Sequence, residues 1–130
     1  MKNKILITGV GGFIGSKIAH RFVEEGYKVV GVDDLSGGKL ENIPSSIDFI
    51  QGDLASKKTI NSIPIDCKTI LHLAGQSSGE ISFDNPVIDL QKNTISTLNL
   101  IDYGVKNRVN SMLYASSMSV YGAVQSMPVK

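Results

Sequence analysis

No tryptophan, a single cysteine and no apolar run approaching a membrane span occur in the 130 residues. Cys67 has no second cysteine to pair with, so an internal disulfide is excluded and a reducing setting is expected. The early apolar stretch Ile5-Leu6-Ile7 is broken by Thr8-Gly9 and is too short for a secretory signal. A spanning helix would need about 20 apolar residues in a row. Charge of one sign is also lacking. Thirteen Lys and Arg against 12 Asp and Glu leave a net +1, so neither nucleic acid nor a membrane surface is expected as a partner. These absences predict a soluble, cytoplasmic chain that folds on its hydrophobic core. At 42% hydrophobic residues and this length it has material for one domain.

What is present is a rhythm. Short β-branched or apolar runs at 5–8, 28–33, 48–51, 69–73 and 111–116 read as strands, and most lack polar alternation, as strands covered on both faces do. Between the first two, Ile14, Ile18, Ala19, Phe22 and Val23 form one helical stripe over 13–25, with Gly26 placed as a left-handed cap. Val87, Leu90, Thr94, Leu98, Ile101 and Val105 predict a long helix over 86–106, capped by Asp84 or Asn85 before Pro86. A shorter helix is expected over 55–63. Strands alternating with helices predict an α/β, Rossmann-like doubly wound parallel sheet of order 3-2-1-4-5.

The first strand runs straight into Gly9-Val10-Gly11-Gly12-Phe13-Ile14-Gly15 and then a helix. Backbone amides at a helix start attract an anion, and a pyrophosphate can approach them only where no Cβ intervenes. Gly9 suits the tight turn, Gly12 the close approach, and Gly15 the packing of helix on strand. Asp33 closes the second strand, where a carboxylate can accept both hydroxyl protons of an adenosine ribose and repel a 2′-phosphate. NAD is therefore expected over NADP.

Beyond this point the chain resembles the extended short-chain dehydrogenase/reductase family, in particular NAD-dependent nucleotide-sugar epimerases and dehydratases of the UDP-glucose 4-epimerase type. Thr8-Gly9-Val10-Gly11-Gly12-Phe13-Ile14-Gly15 matches its glycine-rich opening, and Asp33-Asp34-Leu35-Ser36-Gly37-Gly38-Lys39 its second-strand loop. Gly52-Asp53-Leu54, His72-Leu73-Ala74-Gly75-Gln76, Asn93-Thr94-Ile95-Ser96-Thr97 and Tyr114-Ala115-Ser116-Ser117-Met118-Ser119-Val120-Tyr121-Gly122 follow in family order.

The resemblance implies a set of roles. Gly9, Gly12, Phe13, Ile14, Gly15, Asp33, Asp34, Ser36, Gly37, Asp53, Leu54, Leu73, Ala74, Gly75, Asn93 and Ser116 would bind NAD. Within that set the Asp53 carboxylate would hold the adenine amino group, and Asn93 would fix the site geometry. Ser117 would be the catalytic serine that bonds the reacting sugar oxygen of a nucleotide-sugar substrate. Taken singly, Asp53 serves equally as a helix cap, Asn93 as an exposed helix residue and the serines as a polar loop. His72, with no second ligand at metal spacing, reads as a packed, hydrogen-bonded residue, and no metal is expected. Cys67 reads as an inert, partly buried thiol. His20 is expected to face solvent, and Tyr121 to pack beneath its loop.

The family also carries a Tyr-x-x-x-Lys pair for proton transfer. Here Tyr27, Tyr103, Tyr114 and Tyr121 are followed at the fourth place by Gly31, Asn107, Met118 and Gln125. On this reading 1–130 is an incomplete NAD-binding domain, truncated before the final strands and the substrate lobe, inactive alone and prone to self-association through an exposed sheet edge. A 4,6-dehydratase or reductase fragment and a non-catalytic dinucleotide-binding module are the alternatives. Two smaller departures carry expectations. Ser96, in place of a usual glycine, would tighten the long helix against its strand, and Asn107 would take the left-handed cap where Arg108 replaces glycine.

Overall fold

The computed structural model describes residues 2–123 and 127. The stretch 125–130, expected to lead towards the missing tyrosine, lies outside the described residues except for Met127. Five parallel strands form one sheet in the order β3-β2-β1-β4-β5, as predicted. They are β1 (Lys4–Thr8), β2 (Lys28–Asp33), β3 (Asp48–Gln51), β4 (Cys67–His72) and β5 (Ser111–Tyr114). Thr8 pairs with Val32 on one side and His72 on the other, so the ends of β1, β2 and β4 are level. The chain leaves β1 towards β2 and β3, then returns past it to β4 and β5. That reversal places a crevice at the carboxyl ends of the central strands.

Helix α1 (Phe13–Glu24) packs on one sheet face with Ile5, Ile7, Val29 and Leu71. Ala19 is fully buried there, with Ile18, Phe22 and Val23 packed around it, and Gly26 ends the helix with φ +78°. The predicted stripe is too long by a turn, because Ile14 lies mostly in solvent and joins no core. The other face buries Leu6, Val30, Val32 and Ile70 beneath α2 (Lys57–Ser62) and α5 (Ser96–Lys106).

The long helix predicted over 86–106 is one rod in three parts: α4 (Pro86–Asp89), a π-helical turn (Leu90–Ile95) and α5. Asn85 caps it, its side chain accepting from the Ile88 amide at 3.3 Å. In the widened turn Ser96 is buried, and its hydroxyl donates to the Gln91 carbonyl at 2.9 Å. Ser96 thus bonds within its own helix rather than to a strand. At the other end the expected cap is corrected: Asn107 has φ −98°, and Arg108 itself is left-handed at φ +52°. The Val109 amide then reaches back to the Gly104 carbonyl at 2.9 Å, closing the helix as glycine would. A short helix α3 (Gly79–Asp84), absent from the sequence reading, precedes α4. Among the described residues no helix is long and apolar enough to cross a membrane.

Three side chains differ from or refine their expected settings. Cys67 is fully buried, not partly, and burial pushes its thiol above the usual range. Tyr121 is exposed in a single turn of 3-10 helix, Met118–Tyr121, instead of packing under the loop. His20 faces solvent, as expected.

Candidate functional site

The crevice at the strand ends has a volume of about 510 Å³. Gly9 leaves β1 with φ +70°, and its α-carbon lies so close to the segment after β4 that an added Cβ would fall 2.8 Å from the Ala74 nitrogen. Gly15 fits still more tightly, since its Cβ would lie 2.0 Å from the Gly9 carbonyl oxygen. The helix therefore starts directly against the strand it follows. Gly12 is the N-cap and has no side chain to bond the first-turn amides, which face the crevice end of α1 without a capping group.

Asp33 is 92% covered yet lines the crevice. Its Oδ2 accepts from the Gly11 amide at 2.9 Å and its Oδ1 from the Leu35 amide at 2.8 Å. Leu35 makes that bond from a left-handed conformation, φ +62°, which a leucine adopts only at a cost of about 1 kcal/mol. The carboxylate is thus held rigid, with acceptor capacity left on each oxygen. Gly38 lies against it, where a Cβ would be 3.0 Å from either oxygen.

On the β4 side the Thr8 hydroxyl accepts from the Leu73 and Ala74 amides, both at 3.2 Å, and lies 2.7 Å from His72 Nδ1. With two donors already on the Thr8 oxygen, its proton goes to Nδ1, so Nε2 carries the ring hydrogen towards Thr97 Oγ1 at 2.9 Å. Thr97 in turn donates to the Asn93 carbonyl at 2.6 Å. His72 is consequently a neutral strut between β1 and α5, and burial lowers its pKa to about 4. Asn93 grips the next loop from both sides. Its Oδ1 accepts from the Gln76 amide at 2.8 Å and its Nδ2 donates to the Gln76 carbonyl at 3.1 Å. Asn99, buried in α5, donates to the Leu54 carbonyl at 2.9 Å and steadies the loop after β3.

Eleven of the expected residues come together on the crevice wall: Gly9, Gly12, Asp33, Asp34, Ser36, Gly37, Asp53, Leu54, Leu73, Ala74 and Gly75. Gly15 lies beneath them, and Asn93 supports the wall from behind. Phe13 and Ile14 point their side chains into solvent, so only their amides could serve a ligand. Ser116 and Ser117 stand apart on an exposed turn after β5, where Ser117 accepts from the Ser119 amide at 3.2 Å. Reading the sequence missed Gly38, Gly52, Ile81, Ile88 and above all Lys92, which joins Asp34 and Asp53 across the crevice rim.

The model of the NAD dependent epimerase/dehydratase family matches residues 5–130. The chain belongs to that family. A UDP-glucose 4-epimerase of Azospirillum brasilense is 30% identical over 98% of this chain and 37% of its own length. The structure of UDP-glucose 4-epimerase with UDP-glucose from Thermotoga maritima superposes with a TM-score of 0.91 at 33% identity, covering 97% of this chain and 42% of that one. The Thermus thermophilus UDP-glucose 4-epimerase complex with NAD gives 0.90 at 31% identity, over 95% and 41%. The chain thus spans about two-fifths of the length of the proteins it matches.

NAD is the cofactor of this family, and the crevice fits it. Bare glycine backbone meets the place where a diphosphate would lie against α1. The doubly anchored Asp33 faces the same space and presents acceptors only, which suits a ribose diol and disfavours a phosphate there.

Proposed function

We propose that this chain is the NAD-binding part of a nucleotide-sugar 4-epimerase. When bound, NAD would supply a reversible hydride acceptor for the sugar C4. The residues of this chain bind and orient. Gly9 and Gly12 expose backbone to the diphosphate, and Asp33 accepts from the adenosine ribose. Leu54 borders the base, and Leu73, Ala74 and Gly75 line the path beside the cofactor. Asn93 keeps that path in shape through Gln76. Ser117, on the turn after β5, hydrogen-bonds the reacting sugar oxygen. Proton transfer belongs to a Tyr-x-x-x-Lys pair that these 130 residues do not contain, so the chain alone does not turn over substrate.

The observation that carries this reading is the Asp33 carboxylate, fixed by two backbone amides beside uncovered glycine backbone. Calorimetry on the purified chain should show NAD binding with a Kd weaker than about 1 μM and NADP binding weaker still. Equal or tighter NADP binding, or none of NAD, would overturn it. Epimerase turnover by the 130 residues would refute the assignment of proton transfer to residues outside them.

A further inference from the structure

Lys92 stands on the π-helical turn, and its ammonium meets carboxylates from two other segments. Nζ lies 2.9 Å from Asp53 Oδ2, after β3, and also pairs with Asp34 Oδ2, after β2. The other oxygen of Asp53 accepts from the Ala55 amide at 2.9 Å. The other oxygen of Asp34 accepts from the Ser36 amide at 2.8 Å and its hydroxyl at 2.6 Å. Burial alone would push the Asp34 carboxyl up, but Lys92 and Ser36 donate to it and hold it below the carboxylate range. Burial likewise opposes the ammonium, and the two carboxylates outweigh it and hold the Lys92 pKa above the usual value.

Three carboxylates, of Asp33, Asp34 and Asp53, line the crevice, and among the described lining residues Lys92 is the only cation. With the lysine removed, Asp53 would keep one anchor instead of two and would turn about it. The three side chains are a quarter to two-fifths exposed, so the ion pairs themselves add little stability. Their effect is geometric. Val32, Gly52, Leu54 and Ile88 line the same crevice and give it apolar wall suited to an aromatic ring. In that crevice a carboxylate that only accepts is held next to an ammonium that only donates.

We propose that Lys92 is a positioning residue that sets base specificity, by fixing the Asp53 carboxylate as acceptor for an exocyclic amine on a purine in this crevice. The proposal rests on the NAD-binding reading above, in which Asp53 meets the base. Lys92 acts through Asp53, and among the described residues no other side chain ties Asp53 Oδ2 to the long helix.

The test compares ADP with purine riboside diphosphate, which carries a hydrogen in place of the amine and keeps N1 as an acceptor, by calorimetry on the whole chain. The wild type should prefer ADP by about tenfold, the worth of one charge-assisted hydrogen bond. Lys92→Met should bring the ratio to about twofold or less while still binding both, and Lys92→Arg should restore part of it. A lysine that only stabilised the fold or attracted phosphate would change both affinities alike, so an unchanged ratio in a folded Lys92→Met chain overturns the proposal. Wild-type binding of both without preference also overturns it, but leaves the NAD reading standing. Binding of neither by the wild type removes both. Should Lys92→Met not fold, the wild-type ratio measured at about 50 and 500 mM KCl decides, because phosphate screening cancels between the ligands. A ratio that falls with salt supports the proposal, and a constant one sinks it.

Discussion

The two sides of β1 are finished to different degrees. Towards β2 and β3, every loop at the strand ends is clamped. Asp33 holds Gly11 and Leu35, Lys92 joins Asp34 to Asp53, and Gly9, Gly15, Gly38 and Gly52 leave no space for a methyl group. Towards β5 the packing thins, with Leu113 57% and Tyr114 60% exposed and the Ser116–Ser117 turn bonded only locally. The difference separates two tasks. The cradle on the β2 side is completed by short-range contacts within one sheet half, whereas the Ser116–Ser117 turn gains no wall from the strand that carries it.

The contrast breaks most visibly at Gly15. Gly15→Ala would set a methyl carbon 2.0 Å from the Gly9 carbonyl, so a loss of about 3 kcal/mol or more is expected in urea unfolding. A loss under about 1 kcal/mol would mean that the tight half can yield after all.

His72 lies on the seam between the halves and sharpens the comparison through pH. Its folded pKa of about 4 is below the ordinary 6.5, so the unfolded chain takes up a proton first as pH falls. The stability it contributes is full above about pH 6.5 and is lost progressively down to about pH 4, by about 3 kcal/mol in all. Urea midpoints across that window should show the slope in the wild type and lack it in His72→Asn. Equal slopes would mean that the ring is already protonated when folded.

The smallest effect belongs to the open half. Leu113→Ser, on β5, should change stability by less than about 0.5 kcal/mol. A loss above about 1.5 kcal/mol would show that this strand is buried in solution, by self-association or otherwise. Sedimentation of the two chains would identify which.

Much of this was legible in the order of residues, for reasons that differ by element. The strands announce themselves because both sheet faces are covered, so their apolar runs are unbroken. Glycine spacing fixes the mouth of the crevice, and Asp33 follows from its place at the end of β2. Lys92 was not legible, since a charged residue on a helix normally reads as solvated surface. Only the fold brings Asp34 and Asp53, 19 residues apart in sequence, to its side. Gly38 and Gly52 stood inside family motifs without a role of their own, because their crowding is tertiary. The short α3 escaped because Phe83 lies in solvent and Ile81 faces the open crevice, so the helix has no stripe towards the core. Arg108 escaped because the tertiary fit of the Val109 amide to Gly104, not intrinsic preference, selects its conformation.

The π-helical turn at Leu90–Ile95 amounts to a surplus residue wound into an otherwise ordinary rod. Ile88 ahead of it, on the crevice wall, and Leu100 and Tyr103 behind it, in the core, consequently obey two angular registers. Excising a single residue there would restore regular winding and swing everything upstream by roughly 100° while the core-facing half stayed seated. One spacer thus uncouples what the helix does for the crevice from what it does for the core, leaving each free to drift in sequence without disturbing the other.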